Sequence, residues 1–230
     1  MDAYLKYIDL YKFEYMKSYV DEELGIELMV LDTDKLILNE CEISKIIPED
    51  RFMKFLRMKE EKDKKLLFGS EILLMCGCIK YQINYNKKVY SKYGKPYIEN
   101  SYISFNISHS GKYVICSFSK FEVGCDIELI GEVYMDVAER FFNQIEVVKL
   151  LSITDDKQKQ KLFYDMWVLK ESFIKNVGKG LNLGLKDYFF VQKHKNLYEV
   201  IQTINEFKYV CRLFNIDDSY SAAVCILLDD

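Results

Sequence analysis

Two carboxylates stand one residue apart in Val123-Gly-Cys-Asp126-Ile-Glu128-Leu129. On a strand, successive side chains point to opposite faces, so Asp126 and Glu128 share one face and Val123, Cys125, Ile127 and Leu129 the other. Neighbouring carboxylates repel unless a cation lies between them. A hard cation such as Mg²⁺ takes such a set, one or two carboxylates with phosphate and water completing its shell. The competing reading is the polar face of a half-exposed strand. A second group is Trp167-Val-Leu-Lys170-Glu171-Ser-Phe-Ile-Lys175, where Trp167, Glu171 and Lys175 form a helical stripe. Glu171 offers a third carboxylate and Lys175 a cation for a phosphate; alternatively the two make a surface ion pair worth about 0.3–0.5 kcal/mol. The third group is Phe105-Asn-Ile-Ser108-His109-Ser110-Gly111, whose glycine and hydroxyls suit a turn facing an anion. No Ser–His–Asp or Cys–His arrangement supplies a third, orienting group.

Elements must hold these residues. Ile26–Leu31 and Leu36–Leu38 read as strands. Pro48-Glu49-Asp50 starts a helix, and apolar residues at helical spacing carry it over 50–79. Within it, Arg51–Lys65 holds seven basic and three acidic residues, either a solvated face or an anion-binding edge. Lys92–Pro96 reads as a turn. Three strand-like runs follow: Tyr102–Ile107, Tyr113–Phe118 and Val123–Leu129. Helices are expected at 134–143, 144–152 and 156–177, the last closed by a glycine cap at Gly178. Strands are expected again at 187–192, 197–203, 207–214 and 220–228. Partial segregation of helices and strands favours α+β, and each half holds a long helix and a small sheet. The expected division is a pseudo-duplicated pair of half-domains, 1–120 and 121–230, with a break near Ser119–Glu122.

Composition narrows the classes. The chain has 230 residues, 50% apolar, 30% charged, with net charge −4, ample for a buried core and too apolar for disorder. Two histidines argue against a His-rich zinc site, and the acidic balance against a nucleic-acid binder. The seven cysteines, an odd number without zinc or thioredoxin spacing, read as small core residues of a reducing compartment. Met-Asp-Ala-Tyr-Leu-Lys lacks the basic start and apolar stretch of a secretion signal, and no apolar run reaches the ~20 residues of a membrane span. A cytoplasmic protein is expected.

Four motifs, taken together, resemble one family: Gly94-Lys95-Pro96, Phe105-Asn-Ile-Ser-His-Ser110, Gly124-Cys-Asp126-Ile-Glu128 and Trp167-x-x-Lys-Glu171-Ser-x-x-Lys175-x-x-Gly-x-Gly-Leu181. Their order and spacing resemble those of 4′-phosphopantetheinyl transferases of the surfactin-synthetase-activating type. The resemblance implies two similar α+β halves with coenzyme A in the cleft between them, acting as a monomer. It implies transfer of phosphopantetheine from coenzyme A to a serine of an apo carrier protein, most readily a peptide or polyketide synthetase carrier, with release of adenosine 3′,5′-bisphosphate. No nucleic acid or membrane partner is implied.

By the same resemblance Asp126, Glu128 and Glu171 hold Mg²⁺ (or Mn²⁺), and Glu171 or a water on the metal takes the serine proton. Lys175 stabilises the departing phosphate, Ser108 and His109 contact the nucleotide's phosphates, and Lys95 and Pro96 line the adenine pocket. Trp167 and Lys170 are structural members of their motif. Lys65 stands where the family carries an arginine for the 3′-phosphate, and Asp50 and Met53 where it carries lysines; Arg51 or Lys54 then serve as substitutes. Carrier recognition is expected on an apolar patch of Val133, Tyr134, Phe141, Phe142, Val147 and Leu150, whose alternative role is core packing. Two rival functions are an Mg²⁺-dependent phosphotransferase for a small molecule and a non-catalytic coenzyme A or carrier-binding module.

Overall fold

Strand β2 (Ile26–Asp32) is buried along nearly its whole length because it is covered on both faces. Ile26, Leu28 and Val30 point one way, Met29 and Leu31 the other, into separate apolar clusters. The computed structural model describes residues 15–178, 180 and 184–228; the Met1–Lys6 start, Lys179 and Leu181 lie outside them. β1 (Met16–Asp21), β2, β5 (Ser104–Ser110) and β6 (Tyr113–Ser119) form one antiparallel sheet in the order β1-β2-β6-β5. β7 (Val123–Leu129), β8 (Tyr188–His194), β9 (Leu197–Gln202), β10 (Lys208–Phe214) and β11 (Tyr220–Leu228) form a second, ordered β7-β11-β10-β9-β8. β3 (Lys88–Tyr90) and β4 (Pro96–Ile98) make a hairpin beside β5.

The two sheets pack face to face: Ile26, Leu28, Val30 and Ile115 meet Val123, Ile127, Val224 and Ile226. The outer face of the first is covered by α1 (Glu40–Ile46), α2 (Glu49–Arg57) and α3 (Glu61–Lys80). That of the second is covered by the long helix α6 (Asp156–Val177), beside which α4 (Met135–Phe141) and α5 (Gln144–Leu151) build a smaller aromatic cluster around Phe142 and Phe163. The α+β class holds, and the duplication is visible in the topology. In each half a first strand (β2, β7) leads through helices to a hairpin (β3–β4, β8–β9) and two further strands (β5–β6, β10–β11). In the first sheet β6 lies between β2 and β5, and in the second β11 lies between β7 and β10.

Three local expectations are corrected. Leu36–Leu38 forms no strand, because it runs from a 3₁₀ turn directly to Asn39, whose side chain caps α1. The helix expected over 50–79 is two: Met58 and Glu60 take extended conformations, and the Met58 N–H closes α2 on the Phe55 carbonyl. Ser108 and His109 lie inside β5 and not in a turn; the turn falls at Gly111–Lys112, with Gly111 at φ +57°. All seven cysteines are free thiols, five of them buried as expected, while Cys41 is exposed and Cys76 half-buried. Burial pushes the Cys76 and Cys78 thiols up to about 12, far from a reactive thiolate.

Candidate active site

The site sits where an edge strand of one sheet meets an edge strand of the other. β5 and β7 are not paired as a ladder; side chains of β5 reach across to β7. The Cys125 N–H donates to Asn106 Oδ1 (2.9 Å), Ser108 Oγ to Asp126 Oδ1 (2.8 Å), and Ser110 Oγ to Glu128 Oε2 (2.8 Å). Alternation explains this: Asn106, Ser108 and Ser110 all face β7.

The same alternation on β7 buries Val123, Cys125 and Ile127 between the sheets and turns Gly124, Asp126 and Glu128 toward α6. Leu129, expected inside, is exposed at the strand end. Asp126 is not on an open polar face; it is 3% exposed. α6 approaches so closely that a Cβ on Gly124 would lie 2.1 Å from the Ser172 carbonyl oxygen. That approach delivers Lys175, whose Nζ donates to Asp126 Oδ1 (2.6 Å) and Ser108 Oγ (2.9 Å). The helix is held there by Asn176, donating to the Glu122 and Cys225 carbonyls (2.7 and 2.9 Å), and ends at Gly178 in the left-handed region (φ +70°). Lys175 thus pairs with Asp126 of its own half and reaches Ser108 across the seam, and the surface ion pair with Glu171 is not the one formed.

The site is short of positive charge. Burial, then the Asp126 charge, pushes the Glu128 carboxyl up; burial and both β7 acids do the same to Glu171. Burial pulls the Lys175 ammonium down, but the facing Asp126 outweighs it and the group is held above its ordinary value. Asp126 Oδ2 is buried without a hydrogen-bond partner, an unusual state for a carboxylate oxygen. Among the described residues no three His, Cys, Asp or Glu side chains converge as a ready metal cage. The donors suit a hard cation held by one or two carboxylates and completed by substrate oxygens.

One hollow borders Glu171, and a second lies beside His109. The first, of about 280 Å³, is bounded by Tyr93, Pro96, Ile107, Glu171, Ile174 and Lys175, and so draws on both halves. Lys95 lies on its wall, but its ammonium donates to Glu122 and to the Val123 and Asn176 carbonyls (3.0 and 3.1 Å), which occupy all three donors. The other, of about 170 Å³, is lined by Arg51, Lys54, Asp63, Ser70 and His109. Packing around the His109 ring and the Lys175 charge favour its neutral form. Lys65 is not in this hollow: it pairs with Glu61 (3.1 Å) and lines a separate groove with Lys59 and Lys64. Of the three basic residues of α2, Arg51 and Lys54 are brought to His109 and Arg57 is not.

Residues 122–225 match the family model of the 4′-phosphopantetheinyl transferase superfamily. The chain is 36% identical over 193 residues to 4′-phosphopantetheinyl transferase Sfp of Bacillus subtilis (strain 168), covering 81% of this chain and 84% of that protein. It is 34% identical over 218 residues to 4′-phosphopantetheinyl transferase ffp of Bacillus subtilis, covering 92% and 91%. The chain belongs to the 4′-phosphopantetheinyl transferase superfamily. It is therefore an enzyme, a transferase. A solved holo-[acyl-carrier-protein] synthase of Thermotoga maritima matches 48% of this transferase and 64% of its own chain, at 21% identity and a TM-score of 0.41.

In this transferase Lys170 is 1% exposed and donates to Glu146 Oε2 (2.8 Å) and to the Leu185 and Tyr188 carbonyls (3.0 and 3.2 Å). Trp167 stacks on Phe163 at 6.4 Å. The partner Glu146 and the backing Tyr188 lie outside the four motifs, and the seam residues Asn106 and Ser110 lie within one without an individual role assigned to them. Ser110 was legible, since alternation puts it on the Ser108 face; Glu146 and Tyr188 carry no signal in sequence. Of the apolar patch expected on α4 and α5, Phe142, Val147 and Leu150 are core, whereas Tyr134 is exposed. The exposed apolar face of α5 is Ile145, Val148 and Leu151.

Proposed function

We propose that this transferase moves the phosphopantetheine arm of coenzyme A onto a serine of an apo carrier protein and releases adenosine 3′,5′-bisphosphate. The observation that carries this reading is the Asp126 carboxylate, one oxygen bound by Lys175 and Ser108, the other buried and unpartnered beside a cation-poor Glu128. Asp126 and Glu128 would hold Mg²⁺ or Mn²⁺, with Glu171 of α6 beside them. The ion, when bound, neutralises charge on the diphosphate, which is what phosphoryl transfer demands of a protein.

The carrier serine Oγ attacks the β-phosphorus, and the bond from that phosphorus to the bridging oxygen breaks. Glu171 takes the serine proton, a role suited to a carboxyl raised by burial and by its acidic neighbours. Lys175, already at the seam, meets the negative charge gathering on the departing nucleotide. Arg51, Lys54 and His109 line the hollow that suits the nucleotide's 3′-phosphate, Arg51 through the guanidinium nitrogens that its Nε pairing with Glu71 leaves free. Pro96, Tyr93 and Ile107 give the other hollow an apolar wall for a base. We read 1–120 and 121–230 as half-domains of a monomer, with the carrier docking near the exposed face of α5. No helix among the described residues is long and apolar enough to cross a membrane.

Asp126→Ala and Glu171→Ala test the assignment. Each is expected to abolish transfer from coenzyme A to an apo carrier in the presence of Mg²⁺ while keeping a cooperative unfolding transition. Wild-type-like rates in either would refute the metal-holding role of Asp126 or the proton-accepting role of Glu171.

A further inference from the structure

Ser110 lies on β5 beyond the motif's histidine, and both capacities of its hydroxyl are in use. Its single proton goes to Glu128 Oε2 at 2.8 Å, and its oxygen accepts the Leu129 N–H at 3.0 Å. A hydroxyl has one hydrogen to give, so Ser110 has none left for a substrate phosphate. Ser108, two residues earlier on the same face, does the equivalent for Asp126 while also accepting from Lys175. The difference lies in what else holds each acid. Asp126 is short, buried and bound by Lys175 as well. Glu128 is half-buried and one methylene longer, and Ser110 supplies the hydrogen bond that ties it to the other half of the molecule.

We propose that Ser110 is a positioning residue: its hydroxyl, anchored on the backbone beyond Glu128, fixes the Glu128 carboxylate toward Asp126 so that the two acids act as one cation site built across the halves. This rests on the reading of Asp126 and Glu128 as metal ligands. Alanine at 110 leaves the Glu128 carboxylate free to rotate toward solvent, and the Leu129 N–H loses its acceptor. Groups that orient metal ligands in this way typically change affinity by about 10–100-fold when removed. Threonine keeps the hydroxyl and suits a strand.

The test is Mn²⁺ binding, followed by electron paramagnetic resonance in the presence of coenzyme A, for wild type, Ser110→Ala and Ser110→Thr. Thermal melting and coenzyme A binding in chelator are measured alongside. Expected is at least about a tenfold rise in the Mn²⁺ dissociation constant for Ser110→Ala, with threonine restoring most of it. Coenzyme A affinity in chelator should be unchanged, and the transfer rate of Ser110→Ala should recover at high Mg²⁺. A purely structural serine would lower the melting temperature and leave Mn²⁺ affinity of the folded protein untouched; that result overturns the proposal, as does a threonine variant as weak as alanine. If wild type itself fails to bind Mn²⁺ with coenzyme A, the metal reading falls and the proposal with it. If wild type binds and Ser110→Ala matches it, the proposal alone falls.

Discussion

Replacing Gly124 by alanine sets a methyl group against the backbone of α6. Its Cβ would lie 2.1 Å from the Ser172 carbonyl oxygen, 2.3 Å from the Asn176 nitrogen and 2.8 Å from the Lys175 carbonyl carbon. These are backbone atoms, so no side chain can swing aside. Ordinary contact begins near 3.4 Å, so the helix must retreat from β7 by about 1 Å or more. Overpacking of this kind costs about 1–3 kcal/mol, occasionally more. For a chain of this size each kcal/mol lowers the melting temperature by about 2–4 °C, so a fall of about 2–12 °C is expected. The retreat also carries Lys175 away from Asp126, now 2.6 Å apart, and strains both Asn176 contacts. A misplacement of about 1 Å at a reacting centre can cost about 10²-fold in rate. Thermal melting and transfer kinetics on one preparation would read both effects. A Gly124→Ala protein melting within about 1 °C of wild type and transferring within about twofold of its rate would refute the close approach of α6 as the device that sets the site.

Lys170→Met should destabilise by about 3–5 kcal/mol in urea titrations, because it leaves Glu146 buried without its cation; adding Glu146→Gln should recover much of the loss, and no recovery would show that the pair is not the cause. Glu71 provides a pH test. Burial pushes its carboxyl up, but Lys88, Tyr85 and Arg51 outweigh that and hold it below its ordinary value. Its contribution is then fully present above the unfolded value of about 4.5 and is lost as pH falls through the lower folded value. The stability gap between wild type and Glu71→Gln should therefore narrow on acidification, and a gap that widens would contradict the assignment. Leu151→Glu on the exposed face of α5 should raise the KM for the carrier without changing that for coenzyme A; an unchanged carrier KM would move the docking surface elsewhere.

How much of this was legible in the sequence follows from where the determining contacts lie. Helix α6 and the four final strands were placed almost to the residue, because capping residues, a glycine stop and apolar alternation are local signals. The pairing of Asp126 with Glu128, and the arrival of Glu171 and Lys175, followed from strand and helix periods together with the family resemblance. What escaped depends on which edges meet. Nothing local says that β5 lies against β7, so the bonds that Ser108 makes to Asp126 and Lys175 were not legible. Lys95 lines the hollow beside Glu171, and the sequence does not show that its ammonium also ties the hairpin to β7 and α6. In the basic run, the break at Met58–Glu60 separates Arg51 and Lys54 from Lys65, placing them in different hollows. The buried Glu146 beneath Lys170 is a long-range partner with no sequence mark.

Transfer of phosphopantetheine at this seam is tested most directly by the intact mass of an apo peptidyl carrier domain. The domain is incubated with coenzyme A, Mg²⁺ and the wild-type protein, and the small-molecule fraction is assayed for adenosine 3′,5′-bisphosphate. The expected result is a carrier heavier by one phosphopantetheine, the nucleotide released in equal amount, and neither product once the metal is chelated. A carrier of unchanged mass, across both peptidyl and acyl carrier domains, would contradict it.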